Sequence, residues 1–480
     1  MSVFRRYYTK IIFFLLGGAM FISCTTPTAL DRALDLAGDN RAELEKVLDT
    51  FKDDEWKIRS AEFLIENMPR KYYVSGWQID SVAALVERGD FATLSKEPYV
   101  DINYARECTV NFDLLTISSQ TLIDNINLAV DTWRSRPWHD RYTFEQFREY
   151  VLPYRIDNEP LEDWRRAYLD RYSAVIDSAL AITSDVTEVA AIIGEKLNNE
   201  GFTYTPEINA PHLGAKRLLD IRKGYCRENC DLALYVMRAL GIPVATDYYE
   251  TSPAYRSRHF WNVLFDEEGN ALPFCFTEKR LEKGGWRLMG RKLGKVYRDF
   301  YGEQPTKYEG MDTTSLIPKF FKRPCSRDVS DEYFSYSAPI RVEMPEESEW
   351  AYLSVYNGQR YIPIDIAPVD TCGIATFANV ESGIILFPSI ATEQEIIPSG
   401  YPVLTDTMHS RIMMPHTDSL TSLTLTRKYP HRTVFRMIMN MLGSKIEASA
   451  DTAFSRPIKV KDLDDMVWRN HIEIPCAYTT

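Results

Sequence analysis

The 480-residue chain is short of histidine, with 7, and of the residues that break regular structure, with 22 Gly and 25 Pro. So little of either excludes a collagen-like repeat or a long low-complexity linker. Positive charge is not in excess: 56 Lys and Arg stand against 68 Asp and Glu, for a net charge of −12. A polyanion is a poor partner for such a surface, and nucleic-acid binding is not expected. No apolar run reaches the roughly 20 residues that cross a bilayer as a helix. No segment repeats at a fixed period. What the chain does hold is 45% hydrophobic and 26% charged residues, the composition of a globular protein with two or three domains.

Arg5, Arg6 and Lys10 precede an apolar run from Ile11 to Ile22, which ends at Ser23-Cys24. The run is too short to span a membrane and has the layout of a secretory signal. Phe21-Ile22-Ser23-Cys24 resembles a bacterial lipobox, with Phe21 in place of the usual leucine. The resemblance implies cleavage before Cys24 and lipid on its sulfur, so residues 1–23 are expected to be a lipoprotein signal peptide. The expected location is the bacterial cell envelope, with the chain lipid-anchored at the outer membrane through Cys24. An ordinary secretory signal with an incidental cysteine is the alternative, and on either reading the chain leaves the cytoplasm.

Eight cysteines stand at 24, 108, 226, 230, 275, 325, 372 and 476. With Cys24 lipidated seven remain, and an odd number leaves at least one thiol unpaired. Cys226 and Cys230 are spaced like half a metal site. No second cysteine pair or HxxxH accompanies them, so the four-ligand pattern of zinc is missing and no metal is expected. A Cys226–Cys230 disulfide is a further alternative, although at i, i+4 on a helix the Cα separation is near the upper limit for one. Trp and Met along the helical stripes read as core or groove, and no cofactor is expected.

From Leu30 to about Asn199 the apolar residues recur with helical period. Asn40-x-x-Glu43 has capping-box spacing, and Leu44, Val47, Leu48 and Phe51 follow at i, i+3, i+4 and i+7. Ile58, Ala61, Leu64 and Ile65 mark a second helix that Pro69 stops. Leu122, Ile126, Ala129, Val130 and Trp133 mark another, and Thr143-x-x-Gln146 caps the next. Helices are also expected over 159–181 and 186–199. Residues 216–241 then read as a helix, and 244–249 and 259–276 as short strands with a turn at 267–270, which makes an α+β block. Beyond Lys322 the helical period fades. Asn357-Gly358 between two β-type runs is a hairpin signal, and further strands are expected at 374–379, 383–388 and 420–426. The fold class expected is multi-domain α+β, with a helical domain over 24–185, an α+β domain over 186–321 and a β-rich, sandwich-like domain over 322–480.

The chemistry-bearing stretch runs from Lys223-Gly-Tyr-Cys226 to Gly241-Ile-Pro243, followed by His259-Phe-Trp-Asn262. Gly224 and Gly241 bracket a helix with Cys226 in its first turn. Free N–H groups and the helix dipole favour a thiolate there, so a lowered cysteine pKa is expected. His259, about thirty positions on at the start of a strand, can return over the helix end as a base. Hydrogen-bonded structural roles for both residues are the plain alternative. His212, in a Pro-His-Leu-Gly loop, is a rival base but is expected at the surface.

Gly-Tyr-Cys226, then Arg238-Ala-Leu-Gly-Ile-Pro243 twelve residues on, then His259-x-Trp261, resembles the core of the transglutaminase-like superfamily over roughly residues 200–280. The resemblance implies a papain-like Cys-His-Asp arrangement with Cys226 as nucleophile and His259 as general base. With Val151-Leu-Pro-Tyr-Arg155 and Trp164, the wider chain looks like multi-domain lipoproteins of Bacteroidetes that carry this core. One position departs from the pattern. The family's orienting aspartate lies about sixteen residues after the histidine, and here that position is Cys275. Pairing the strands around the 266–270 turn puts Thr277 opposite His259 and Cys275 diagonal to it, with Glu278 next along; the alternatives are Glu278 as a substitute orienter after a small bulge, a weak hydrogen bond from Thr277, or an incomplete triad.

The function this implies is acyl transfer on amide or peptide bonds, with hydrolysis favoured over cross-linking. Trp261 and Arg258 are candidates for substrate contact. The competing expectation is a catalytically inactive lipoprotein that binds glycan, peptide or protein through Trp350, Tyr352, Tyr356 and Tyr361.

Overall fold

The computed structural model describes residues 26–472 apart from interior stretches, of which 427–443, 415–422 and 284–291 are the longest. Cys24, the signal segment and the Asn357-Gly358 turn lie outside the described residues. The fold is α+β throughout its first two-thirds and β-rich beyond.

Among the described residues, eight helices of seven residues or more lead the chain: α1 (Ala29–Leu36), α2 (Arg41–Phe51), α3 (Glu55–Glu66), α4 (Trp77–Arg88), α5 (Ser119–Arg134), α6 (Phe144–Tyr150), α7 (Arg165–Leu180) and α8 (Val186–Glu200). The expected apolar stripes are buried, with Leu44, Val47, Ala61, Leu64, Leu122, Ile126 and Trp133 at or near zero exposure. The Thr143 capping box forms, Gln146 N–H donating to its hydroxyl at 3.2 Å and Thr143 N–H to the Gln146 side chain at 2.9 Å. The Asn40 box does not. Asn40 donates instead to the carbonyls of Leu114 and Ile117, at 3.1 and 3.0 Å, and Glu43 accepts from Ser119 N–H at 2.7 Å. Carbonyls at the end of a distant turn are better satisfied by these side chains than α2 is by a local cap.

The expected helix over 216–241 is two helices, α9 (Ala215–Ile221) and α10 (Cys226–Ala239). Arg222 breaks the run in a left-handed conformation, φ 48°, held by bonds from its guanidinium to the carbonyls of Gly201 and Leu197. Lys223–Gly224 then pair in parallel with Thr203–Tyr204. Gly224 is required here, because a Cβ would collide with the side chain of Glu228. That side chain folds back to accept the Tyr225 N–H at 2.9 Å, which starts α10.

Behind α10 lies a five-stranded antiparallel sheet made of β1 (Val244–Tyr249), β2 (His259–Phe265), β3 (Ala271–Phe274), β4 (Tyr297–Asp299) and β5 (Ser326–Asp328). Their order is β3-β2-β1-β4-β5. The β2–β3 register runs from Phe265↔Ala271 to Asn262↔Phe274. Extended, it is the register that sets Thr277 opposite His259. Asp266 closes the turn by accepting the N–H groups of Glu268 and Asn270, and Gly269 supplies φ 83°. A short helix, α11 (Ser330–Phe334), follows β5. One apolar core runs from Ala33 to Phe334, so the helical region and the α+β block share a single interior. Arg165 ties them together: 1% exposed, it donates to the carbonyls of Val151, Leu152, Pro153 and, in α10, Arg238. Its surroundings offer carbonyls but no carboxylate, and burial pulls its pKa down to about 9.

The β-rich region contains β6 (Ile340–Glu343), β7 (Trp350–Tyr356), β8 (Tyr361–Pro368), β9 (Ile374–Phe377), β10 (Ile385–Ala391), β11 (Ile396–Pro398), β12 (Val403–Leu404) and β13 (Arg411–Ile412). The expected hairpin forms as β7 and β8, with Tyr356 opposite Tyr361. A six-stranded antiparallel sheet, β8-β7-β10-β12-β13 with β11 on β10, shares an apolar core with the β6–β9 pair. Buried charges join this region to the sheet behind α10. Asp365 of β8 meets Lys295 at 3.2 Å and Lys307 at 2.6 Å, and Asp328 meets the same two lysines. Tyr297 also donates to Ile364 O at 2.7 Å. Removing one member of such a set strands a buried charge at a cost of about 3–5 kcal/mol, so the two regions are firmly docked.

Candidate functional site

Cys226 begins α10, where the chain turns from the extended Tyr225 into the helix. The Phe260 N–H lies toward its sulfur and works to lower its pKa, so the thiol sits at the peptide that follows His259. Burial acts the other way and is the larger effect. With Glu228, Glu207 and Cys275 adding to it, the thiol is pushed up to about 12. The expected lowering at a helix start is therefore overturned, because Cys226 is only 5% exposed and the solvation a thiolate needs is missing.

The burial has an identifiable source. Cys226 and Cys230 belong to one apolar cluster with Tyr248, Phe260 and Tyr297 of the sheet. Ile317 and Phe321, in the chain leading out of the α+β block, belong to it too, as do Tyr352 of β7 and Ile366 of β8. The expectation that Tyr352 presents an aromatic surface is thus corrected: it is fully buried, and Trp350 packs against the same cluster. Tyr356 is exposed and stands beside Tyr361, which in turn meets Phe387 with ring centres 4.9 Å apart. The six described cysteines, Cys226 and Cys230 among them, are free thiols, so no disulfide joins that pair. Among the described residues no group of His, Cys, Asp and Glu is arranged to hold a metal ion.

His259 opens β2 opposite Tyr249 and is 7% exposed. Its ring lies 6.0 Å from that of Tyr249 and 6.1 Å from that of Trp261. Trp261 is wholly buried and donates through Nε1 to Tyr333 of α11 at 3.0 Å. Tyr333 donates on to Asp247, which Arg298 holds with two bonds. Trp261 is a core residue in this arrangement, with no face left for a substrate. Arg258 is about half exposed and lies 3.7 Å from Glu250.

Cys275 occupies the place where the resemblance calls for a carboxylate. Its Sγ is 3.4 Å from Asn229 Oδ1 in the second turn of α10 and 3.3 Å from the Thr277 hydroxyl. Burial raises its pKa, with Thr277 opposing. The Thr277 hydroxyl also meets Tyr204 at 2.6 Å. Glu278 bonds through its backbone N–H to Cys275 O at 3.0 Å. It lines a cavity of about 250 Å³ with Ala190, Gly194, Glu195 and Asn198 of α8.

The carboxylate–imidazole pair that the structure does display lies elsewhere on α10. His212 Nδ1 is 2.8 Å from Asp231, and Nε2 is 3.6 Å from Asp157. Its side chain is 11% exposed, so the surface position expected for it is corrected. Burial opposes its charge, yet Asp231 raises its pKa to about 10. Arg323 extends the cluster, 3.0 Å from Asp299 and 3.8 Å from Asp157. Arg227 anchors the His212 loop by donating to the carbonyls of Ala210 and Pro211. Nothing in the Pro-His-Leu-Gly loop announces this, since the partners come from three distant segments.

No family model matches the sequence, and no curated protein matches it. Two solved structures share local geometry. One is a protein of Cytophaga hutchinsonii assigned provisionally as a cysteine protease, 19% identical over 25% of this chain and 44% of that one, with a TM-score of 0.19. The other is the periplasmic domain of TgpA from Pseudomonas aeruginosa bound to ethylmercury, 21% identical over 26% of this chain and 53% of that one, with a TM-score of 0.18. The chain thus spans about half the length of these two, and likeness at this level carries no argument about activity.

Proposed function

We propose that the chain is an exported protein of the bacterial envelope, lipid-anchored at Cys24, with a transglutaminase-like cysteine site that performs acyl transfer on amide or peptide bonds. Hydrolysis, which needs only water as the second reactant, is its favoured outcome. The supporting observation is the position of the Cys226 sulfur, at a helix start and against the peptide that follows His259. In this reading His259 takes the Cys226 proton as the sulfur attacks the carbonyl carbon. Backbone N–H groups around Cys226 hold the oxyanion. The imidazolium then gives its proton to the departing amine, and water resolves the thioester to a carboxylic acid and the free thiol. On the same reading Glu278 orients His259, and Arg258 meets an acidic group on a peptide or protein substrate. Labelling by a thiol-directed electrophile at neutral pH tests the site, read at the Cys226 peptide and, for variants lacking it, as total labelling. Cys226→Ala is expected to remove the signal and His259→Ala to slow it about tenfold or more. Equal labelling of the parent and both variants would sink the proposal.

A second reading rests on Cys275 and on the exposed Tyr356 beside Tyr361: a catalytically inactive scaffold that binds glycan or protein. Losing the orienting carboxylate of a catalytic triad costs about ten-thousand-fold in turnover. Retained ligand binding in a Cys226→Ala, His259→Ala double variant, with loss on Tyr356→Ala, would favour it.

A further inference from the structure

The cluster around Cys226 is closed by two different kinds of cover. Tyr352 and Ile366 come from strands locked in place by the buried Lys295, Asp328 and Asp365, with the more exposed Lys307 bridging the two carboxylates. Ile317 and Phe321 come from a short connecting segment whose helical turn, Lys319–Lys322, lies between Pro318 and Arg323. Phe320 meets Tyr297 edge-on with ring centres 5.3 Å apart, and Phe321 faces Tyr352 at 6.4 Å. The segment inserts two adjacent aromatic rings, 3.9 Å apart, on the thiol's side of the sheet.

At its far end the side-chain tie is Arg323. The Arg323 guanidinium reaches Asp299 at 3.0 Å and lies 5.0 Å over the ring of Tyr248, itself a member of the thiol cluster. Arg323 is 30% exposed, whereas Lys295 and Asp365 are 2% exposed. The Lys295–Asp365 pair behind the strands is closed to solvent, while the Arg323–Asp299 pair behind the segment is partly open to it.

We infer that residues 317–323 act as an autoinhibitory strap over the Cys226 thiol, with Phe321 as the plug and Arg323 as the latch. The strap and the docked strands together keep the thiol unreactive, and the strap can withdraw by giving up the partly exposed ties of Arg323 to Asp299 and Asp157, whereas the strands cannot leave without breaking the buried Lys295–Asp365 pair. This rests on reading Cys226 as the reactive thiol. It does not rest on turnover, because labelling of the sulfur reads its access and ionisation and needs no catalytic cycle.

The full chain would be treated with iodoacetamide at fixed pH and the labelling rates of Cys226 and Cys230 read separately by peptide mass spectrometry. Cys230 is 1% exposed in the same cluster and reports any general loosening. In Arg323→Gln and in Phe321→Ala, Cys226 is expected to react at least tenfold faster than in the parent, with Cys230 unchanged. Arg323→Lys, which keeps the charge near Asp299, should recover most of the protection. Unchanged Cys226 rates in both variants would overturn the strap, as would a parallel rise at Cys230. If Cys226 is released but His259→Ala leaves its rate unaltered, the strap stands and the acyl-transfer reading falls.

Discussion

Two faces of one helix invite comparison. On one, Cys226 and Cys230 meet aromatic and aliphatic side chains, and Cys275 lies close by with Asn229 and Thr277 as its polar partners. On the other, Asp231 pairs with a buried His212 inside a cluster that recruits Asp157, Arg323 and Asp299. The first face has the residue types of a nucleophilic site and is electrostatically quiet, its thiols held protonated by burial. The second has the strong electrostatics and no nucleophile. A charged imidazole with a carboxylate partner is thus evidence of how α10 is anchored, and motif spacing and charge pairing mark different places on it.

The sharpest way to break that contrast is to remove the anchoring carboxylate. Asp231→Ala leaves His212 buried without its closest partner and should cost about 3–5 kcal/mol of stability, read from urea unfolding, whereas Cys230→Ala should cost far less. A cost below about 1 kcal/mol for Asp231→Ala would show the charged face to be ornamental.

Proton linkage gives the second test. His212 has a folded-state pKa near 10, above its unfolded value of about 6.5. The stability it contributes is therefore complete below about pH 6.5 and lost as pH rises through 10. Unfolding midpoints recorded from pH 6 to 10.5 should fall across that window, and the fall should flatten in His212→Gln. An equal slope in the variant would assign the effect to other groups.

Restoring a carboxylate sharpens the quiet face. Cys275→Asp sets an acid among Asn229, Thr277 and Tyr204, and should raise the Cys226 labelling rate about tenfold if the imidazole of His259 can be oriented from there. No increase in a folded variant would show that His259 is not aimed at the sulfur. Trp261→Phe deletes the Nε1 bond to Tyr333 and should cost about 1–2 kcal/mol through packing and that hydrogen bond. Arg258→Ala should change stability by less than about 0.5 kcal/mol, since the pair with Glu250 is long and half exposed. A larger loss would mean that the loop before β2 is tied down more tightly than this contact shows.

The parts of the fold legible in the sequence are those fixed by neighbours along the chain. β1 spans Val244–Tyr249 as its residue types indicate, the 266–270 turn sets the β2–β3 register, and Thr143 caps its helix with Gln146. What escaped was decided across the chain. Asn40 gave up its local cap for carbonyls more than seventy residues away. Arg222 split one apolar stripe into two helices by bonding to the end of α8. The burial that holds the thiol protonated comes in a cluster reaching Phe321, Tyr352 and Ile366, which no helix-start rule can anticipate. Cys226 and His259 were legible as residues worth naming, because their spacing is local, while the cover over them and the carboxylate partner of His212 were not.

The cover over Cys226 also sets an order of events. A chain made from its N-terminus holds the thiols at 226, 230 and 275 before Phe321, Tyr352 and Ile366 have been synthesised. Until the later strands dock, Cys226 and Cys230 lack part of the apolar cover that the finished fold gives them. Docking of the later strands is thus the step that gives Cys226 its final cover.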